Sequence, residues 1–196
     1  MKSLHRADLY GWSRFDEARN LDFNSVAWVR DGGNVLVDPL ELSAHDEQHL
    51  EQLGGAALIV ITNSEHVRAA ARIAQRFGAK VLGPQAERGV FEAARWLAHG
   101  DEVVPGLVAL ELHGSKTPGE LALVLERTTL ITGDLIRAQR GGRLNLLPDA
   151  KLKDKAKALE SVRALVEQHR ELDAVLVGDG WPVFREGRPQ LEELLR

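Results

Sequence analysis

Apolar runs alternate with polar turns along the whole chain, and this pattern predicts a mixed α+β fold. An antiparallel hairpin is indicated by the strand-like segment 23–30, the turn 31–34 and the apolar run 35–37. The run 56–61 is apolar at every position, which is typical of a strand buried on both faces. It leads into a polar turn, and we therefore expect a central strand that ends at a ligand-accessible edge.

The same alternation continues to the end of the chain. Further strands are predicted at 80–83, 107–112, 121–125, 129–132 and 174–177, and helices at 43–53, 67–77, 85–97, 151–171 and 189–195. Two strand-rich halves, each followed by helices, predict a four-layer α/β/β/α sandwich formed by a single domain over residues 1–196. Polar residues follow several of the strands, so one shared edge of the sandwich is the expected place for a site.

Composition and charge exclude several classes of protein. The 196 residues include no cysteine, which excludes thiolate nucleophiles, zinc fingers and disulfide frameworks. Neither a secretion signal nor a membrane-spanning apolar stretch is present, so we expect a cytoplasmic protein with no membrane association. The formal net charge of -4 gives no general attraction to nucleic acid. Serine-hydrolase elbows, P-loops and dinucleotide-binding glycine motifs are also missing.

The polar turns after the strands occur in an order that resembles the metallo-β-lactamase-fold superfamily, from about Phe23 to Arg196. The family pattern begins with an aspartate after an early strand, matched here by Asp38-Pro39. It continues with a Thr-His-x-His-x-Asp-His turn, a His-Thr-Pro-Gly turn, a Thr-Gly-Asp turn and a late Gly-His. The chain keeps Thr117-Pro118-Gly119 and the whole of Thr132-Gly133-Asp134. The resemblance implies the four-layer fold and, in intact members, hydrolysis by two metal ions.

Several of the metal ligands in that pattern are replaced in this chain. Asn63 stands where the first histidine belongs, and the turn is two residues too short for the second, leaving Glu65-His66 as the acid–histidine pair. Lys116 occupies the position of a third histidine, and Asp179 that of the last. Asparagine is a poor ligand and a protonated lysine repels metal ions, so a dinuclear centre is not expected.

Two interpretations of the remaining acids stay open. In the first, no metal is bound, and the Lys116 ammonium takes over its electrostatic role beside the carboxylates, with a proton shared between two carboxyls completing the compensation. In the second, one divalent ion (zinc, manganese or iron) is held by His66, Asp134 and Asp179, with Glu65 as a further ligand. Asp134 and Lys116 are the candidate catalytic groups if the site is an active site.

Each candidate residue also has a purely structural explanation. Glu65 suits the first turn of a helix, and Asp134 and Asp179 suit tight turns. Asp38 is expected to hold a loop near the site, and Trp181 to wall a ligand pocket that includes Asn63, Glu65, His66 and Asp179. His113 is a possible replacement ligand through a shift of register.

The leading functional hypothesis is a metallo-β-lactamase-fold protein that has lost its two-metal centre and binds a small polar or anionic molecule. A metal-dependent hydrolase with a single ion is the alternative. The segment 137–157 carries seven basic and two acidic residues, which indicates a solvated basic surface or, less favoured, a binding surface for an anionic substrate or nucleic acid. Its role and the oligomeric state are not determined by the sequence.

Overall fold

The computed structural model describes residues 1–196, and its first sheet has seven strands that follow one another in chain order. The strands are β1 (Lys2–Ser3), β2 (Leu9–Asp16), β3 (Leu21–Trp28), β4 (Val35–Val37), β5 (Leu58–Val60), β6 (Lys80–Pro84) and β7 (Arg95–Leu97). Pairing is antiparallel from β1 to β4 and parallel from β4 to β7. The fully apolar run therefore forms the predicted central strand, with parallel neighbours on both sides.

The second sheet contains five strands. These are β8 (Glu102–Val104), β9 (Leu107–Glu111), β10 (Leu121–Leu125), β11 (Thr129–Thr132) and β14 (Ala174–Val177), in the order β14-β11-β10-β9-β8. Strands β11 and β14 are parallel, so both end at the same edge of the sheet. A separate two-stranded ribbon is formed by β12 (Ile136–Arg140) and β13 (Arg143–Leu146).

Four α-helices cover the two sheets: α1 (Ala44–Gln52), α2 (Ala70–Phe77), α3 (Lys155–Gln168) and α4 (Gly187–Glu193). The side chains of Ser43 and Asp154 accept hydrogen bonds from backbone amides of the first turns of α1 and α3. Helix α2 ends at Gly78, which adopts the left-handed conformation that favours glycine. No helix of the chain has both the length and the apolar character needed to cross a bilayer.

Three apolar clusters separate the layers of the fold. One, which includes Val26 and Leu123, lies between the two sheets. A second packs α1 and α2 against the outer face of the first sheet, and a third packs α3 and α4 against the second sheet. Each sheet thus buries both faces, which confirms the predicted α+β fold with its α/β/β/α layers.

The prediction of a helix over 85–97 was wrong. A single 3-10 turn at Gln85–Glu87 is followed by irregular chain and by the edge strand β7. Gly89 has a φ of 89°, a conformation that ends a helix, and β7 completes its backbone hydrogen bonds in parallel with β6. Tertiary pairing therefore overrides the local helical pattern in this segment.

The basic segment 137–157 also differs from the prediction. Its first part forms the β12–β13 ribbon, Lys151 ends a 3-10 turn, and α3 begins only at Lys155 because Asp154 caps it. Lys155 lies 2.7 Å from Asp149, and Lys157 lies 3.9 Å from Asp154. The helix predicted from residue 151 therefore starts four residues later, and it contains two of the segment's lysines, both with acidic partners.

Candidate functional site

The ends of four strands meet at one edge of the sandwich and carry the polar residues of the site. Asp38 follows β4, Asn63 follows β5, Asp134 follows β11 and Asp179 follows β14. His66 ends a 3-10 turn at Ser64–His66, directly after the central strand. The expected clustering of these residues at a shared edge agrees with the contacts that the structure shows between them.

Two glycines allow these strand ends to approach each other closely. A Cβ at Gly133 would lie 2.5 Å from Thr62 Oγ1, and a Cβ at Gly178 would lie 2.8 Å from His66 Cε1. Both distances are well inside van der Waals contact, so neither position accepts a side chain unless Thr62 or His66 moves. Close packing at the site therefore explains why glycine precedes the aspartate in both the Thr132-Gly133-Asp134 turn and the Gly178-Asp179 turn.

Asp38 orients the imidazole of His66. Its Oδ1 accepts from the Thr62 amide at 2.7 Å, and its Oδ2 accepts from Thr62 Oγ1 at 2.6 Å and lies 2.7 Å from His66 Nδ1. The other ring nitrogen, Nε2, consequently faces Asp134 Oδ2 at 3.5 Å and Asp179 Oδ1 at 4.0 Å. Asp38 thus makes a direct contact at the site, which is more than the loop-holding role that the sequence suggested.

Lys116 extends into the site as the substitution pattern led us to expect. Its Nζ lies 3.1 Å from Asp134 Oδ1 and 2.5 Å from Glu65 Oε2. Asn63 is fully buried and donates from Nδ2 to Asp134 Oδ2 at 3.1 Å. Burial alone would raise the pKa of the Asp134 carboxyl, but the charges of His66 and Lys116 outweigh burial and hold that pKa below its usual range.

The buried Arg137 and the largely buried Arg68 complete the cluster, and neither was predicted from the sequence to belong to the site. Arg68 Nη2 lies 3.4 Å from His66 Nε2 and 3.7 Å from Asp179 Oδ1, while its Nη1 donates to the carbonyl oxygens of Asn24 and Asp38. Arg137 Nη2 is paired with Asp179 Oδ2 and lies 3.8 Å from Asp134 Oδ1. Burial lowers the pKa of both guanidinium groups.

Both arginines stand close in the chain to residues of the recognised turns. Arg68 is two residues after His66, and Arg137 is three residues after Asp134. Proximity to a strand-end motif is thus the signal that would have found them. The two guanidinium groups also supply the compensating charge that was expected from a proton shared between carboxyls.

A cavity of about 670 Å³ opens at this cluster. Its lining residues are Asp16, Arg19, Leu21, Phe23, Leu40, Glu65, His66, Arg68, Lys116, Asp134, Arg137, Gln139, Lys151 and Asp179. They include five lysine or arginine side chains and four carboxylates, so positive charge is in slight excess even with His66 neutral. A volume of this size and a polar lining suit a small polar molecule.

Three residues predicted at the site do not line the cavity. Asn63 is fully buried beneath it and contacts Asp134, and Trp181 and His113 take other positions. Trp181 is 61% exposed, does not line the cavity, and donates from its indole nitrogen to Asp22 Oδ2 at 2.9 Å. Side chains alternate along β3, so Asp22 points away from the face on which Leu21 and Phe23 line the cavity. His113 is exposed and lines a different cavity beside α3, so it makes no contact with the cluster.

Two buried acids brace the loop that carries Lys116. Glu87 accepts from the Ser64 amide at 2.5 Å and from the Gly119 amide at 3.4 Å. Glu120 accepts from Ser115 Oγ and, at 2.6 Å, from the Leu135 amide. Burial raises the pKa of both groups, and burial together with the nearby Asp134 charge raises the pKa of Glu120 to about 7.

The surrounding charges decide whether a metal ion suits this site. Donor atoms of His66, Asp134 and Asp179 all lie within 4.8 Å of one another, a separation that permits a shared ion. However, each donor residue already has a cationic neighbour: Arg68 at His66, Lys116 at Asp134 and Arg137 at Asp179. A divalent ion would meet three permanent positive charges at its own ligands, so this arrangement does not fit a metal.

Comparison with known proteins agrees with the resemblance in the sequence. The family model described as the metallo-beta-lactamase superfamily matches residues 1–196. Comparison with curated proteins gives no match.

Solved structures of similar fold include three metallo-beta-lactamases. The enzyme from Pontibacter korlensis is 16% identical, with 95% of this chain and 92% of that chain covered and a TM-score of 0.72. DIM-1 is 13% identical (97% and 92% covered, TM-score 0.75), and FIM-1 from Pseudomonas aeruginosa in its mono-zinc form is 16% identical (95% and 89% covered, TM-score 0.70). At these identities the structural likeness shows the fold, whereas the family model matches the whole length of the chain. The chain therefore belongs to the metallo-beta-lactamase superfamily.

Proposed function

We propose that this protein binds a small anionic or polar molecule in the strand-end cavity and holds no metal there. One observation carries the proposal: each of the three residues that could ligate an ion is already next to a positively charged side chain. The fixed cations replace the charge of the ion, and the same cations line a cavity open to a ligand. Electrostatic attraction between that lining and an anion supplies the binding energy.

The charges of the cluster support this proposal. Four carboxylates (Asp38, Glu65, Asp134 and Asp179) face three permanent cations (Arg68, Lys116 and Arg137). The three cations offset all but one of the four negative charges, so little charge of the acids is left for a metal ion to compensate.

A hydrolase with one metal ion is the second candidate function. It is favoured by the short separation of donor atoms on His66, Asp134 and Asp179, and by Asp179 Oδ1, which is buried without a hydrogen-bond partner. Glu65 would be an additional ligand. In this case Lys116 would have to leave Asp134, because its ammonium lies only 3.1 Å from Oδ1.

Elemental analysis separates the two candidates. The protein is purified without chelator, its metal content is measured, and the measurement is repeated after incubation with zinc, manganese and iron followed by desalting. We expect far less than one ion per chain under every condition. Stoichiometric metal that disappears in both His66→Ala and Asp134→Ala would overturn the proposal and support the single-metal hydrolase.

Binding is tested directly with inorganic phosphate and malonate by isothermal titration calorimetry. We expect saturable binding that weakens about tenfold in Lys116→Gln, because a charge-assisted contact to the anion is lost. Lys157→Gln is the matched control, since this exposed lysine lies on α3 and does not line the cavity. Absence of binding of both anions, or equal losses in the two variants, would contradict an anion site at this cavity.

A further inference from the structure

The cations of the cavity form two groups that differ in their partners. The inner group comprises Arg68, Lys116 and Arg137, and each of them lies within 4.0 Å of a carboxylate of the cluster. The outer group is Arg19 and Lys151. Arg19 reaches only Asp16, at 3.8 Å, and Lys151 has no carboxylate within 4.0 Å. The uncompensated positive charge of the cavity is therefore that of Lys151, and Arg19 has only one long ion pair, with Asp16.

The accessible acids of the cavity are suited to hydroxyl groups rather than to cations. Glu65 is more than half exposed, yet it is paired with Lys116, and Asp16 is near Arg19. A paired carboxylate keeps lone pairs that accept hydrogen bonds, but it has little attraction left for an ammonium group. Gln139, also in the lining, adds an amide that both donates and accepts.

Little of the cavity wall is apolar. Only Leu21, Phe23 and Leu40 among the lining residues are hydrophobic, and the guanidinium groups of Arg19 and Arg68 both lie over the Phe23 ring at 5.6 Å from its centroid. A ligand with a large hydrophobic part would therefore find few partners here.

We infer that the ligand is a polyhydroxylated anion of the sugar-phosphate class, with its phosphate at Arg19 and Lys151 and its hydroxyl groups toward Glu65 and Gln139. The inference rests on the proposed anion site and specifies its ligand. A plain anion uses only charged contacts, whereas a sugar phosphate also uses the hydrogen-bonding groups of Glu65 and Gln139. A zwitterion is disfavoured because each acid of the lining already has a cationic neighbour.

The experiment compares ligands that differ in one chemical feature. Ribose 5-phosphate, glucose 6-phosphate and glycerol 3-phosphate are titrated by calorimetry beside inorganic phosphate, ribose and serine, all at one ionic strength. We expect the best sugar phosphate to bind at least about tenfold more tightly than inorganic phosphate, since several hydroxyl hydrogen bonds are added. Ribose alone should bind more weakly than any of the phosphates.

Variants of the outer cations locate the phosphate. Arg19→Gln and Lys151→Gln should each weaken sugar-phosphate binding about tenfold by removing a charged contact. Lys153→Gln is the matched control, because this exposed lysine is two residues from Lys151 and lines the other cavity beside α3. All three side chains are exposed, and equal melting temperatures will show that the variants fold.

The outcomes separate this inference from the proposed function. If inorganic phosphate binds as tightly as every sugar phosphate, or if serine binds more tightly, the sugar-phosphate assignment is wrong while an anion site remains. If sugar phosphates bind best but Arg19→Gln and Lys151→Gln change nothing, the assigned orientation is wrong. If no anion binds at all, both the inference and the proposed function are overturned.

Discussion

Substitution of Glu120 by glutamine should change how the stability of the fold depends on pH. Glu120 is fully buried between the loop of Lys116 and the turn of Asp134, and its pKa is raised to about 7 from an ordinary value of 4.5. Burial is the largest cause, followed by the Asp134 charge, and hydrogen bonds from Ser115 and Leu135 only partly oppose them. The folded state therefore retains a proton at a pH where the unfolded state has released it.

This difference determines the sign and the size of the effect. Because the folded pKa is raised, the free energy of unfolding falls as pH rises through the interval between the two pKa values and is level above it. At about 1.4 kcal/mol for each pKa unit, Glu120 should make the protein about 2.5 kcal/mol less stable at about pH 8 than at about pH 5. Glutamine keeps an acceptor for the Leu135 amide and a donor for Ser115 Oγ, and it does not titrate in this range.

The assay is urea unfolding followed by circular dichroism at a series of pH values. The stability of Glu120→Gln relative to the wild type should rise by about 2.5 kcal/mol between about pH 5 and about pH 8. Glu167→Gln, which changes an exposed acid on α3, is the control and should follow the wild-type curve. Parallel curves for the wild type and Glu120→Gln across this range would refute the argument that Glu120 is protonated in the fold.

Four further predictions concern charge and backbone conformation. Lys116→Met should lower the free energy of unfolding by about 3 kcal/mol near neutral pH and raise the pKa of Asp134, because a buried carboxylate loses a cationic partner; an unchanged melting temperature from about pH 5 to about pH 8 would contradict it. Gly78→Ala should lower the free energy of unfolding by only about 1 kcal/mol. The left-handed conformation of this residue is strained for alanine, but no atom lies within 4 Å of the new Cβ. Gly114→Ala should lower the free energy of unfolding clearly more than Gly78→Ala in the same urea assay, because its Cβ would collide with the backbone of Asp154 and Ala158. Phosphate affinity should fall with added sodium chloride, because the cations of the outer group are exposed and their charges are screened by salt. A salt-independent Kd would contradict binding of phosphate by these cations.

Much of the fold could be predicted from local pattern alone. The fully apolar run before Thr62 indicated a strand buried on both faces, and the helix predicted from Ser43 is α1, capped by that residue. The start of α3 was predicted four residues too early, before its cap Asp154. The order of the polar turns indicated the superfamily, and the family model agrees over the full chain. The segment 85–97 was mispredicted because its helical composition yields to pairing with β6, which a local pattern does not contain.

The candidate site could be predicted only in part. Sequence order placed His66, Lys116, Asp134 and Asp179 at neighbouring strand ends, since parallel strands end at a common edge. The contacts of Asp38 with His66 and of Arg137 with Asp179 join residues 28 and 42 positions apart in the chain, and periodicity carries no information about such pairs.

The amino-acid sequence thus determined which residues form strands, which strand ends are polar and which family ligands are replaced, because each of these properties depends on near neighbours in the chain. Only the tertiary structure decided which cation compensates which carboxylate, since that depends on the distances between charges brought together from different strands. The charge of Arg68 acts at His66 and Asp179 only after packing has placed its guanidinium group between them.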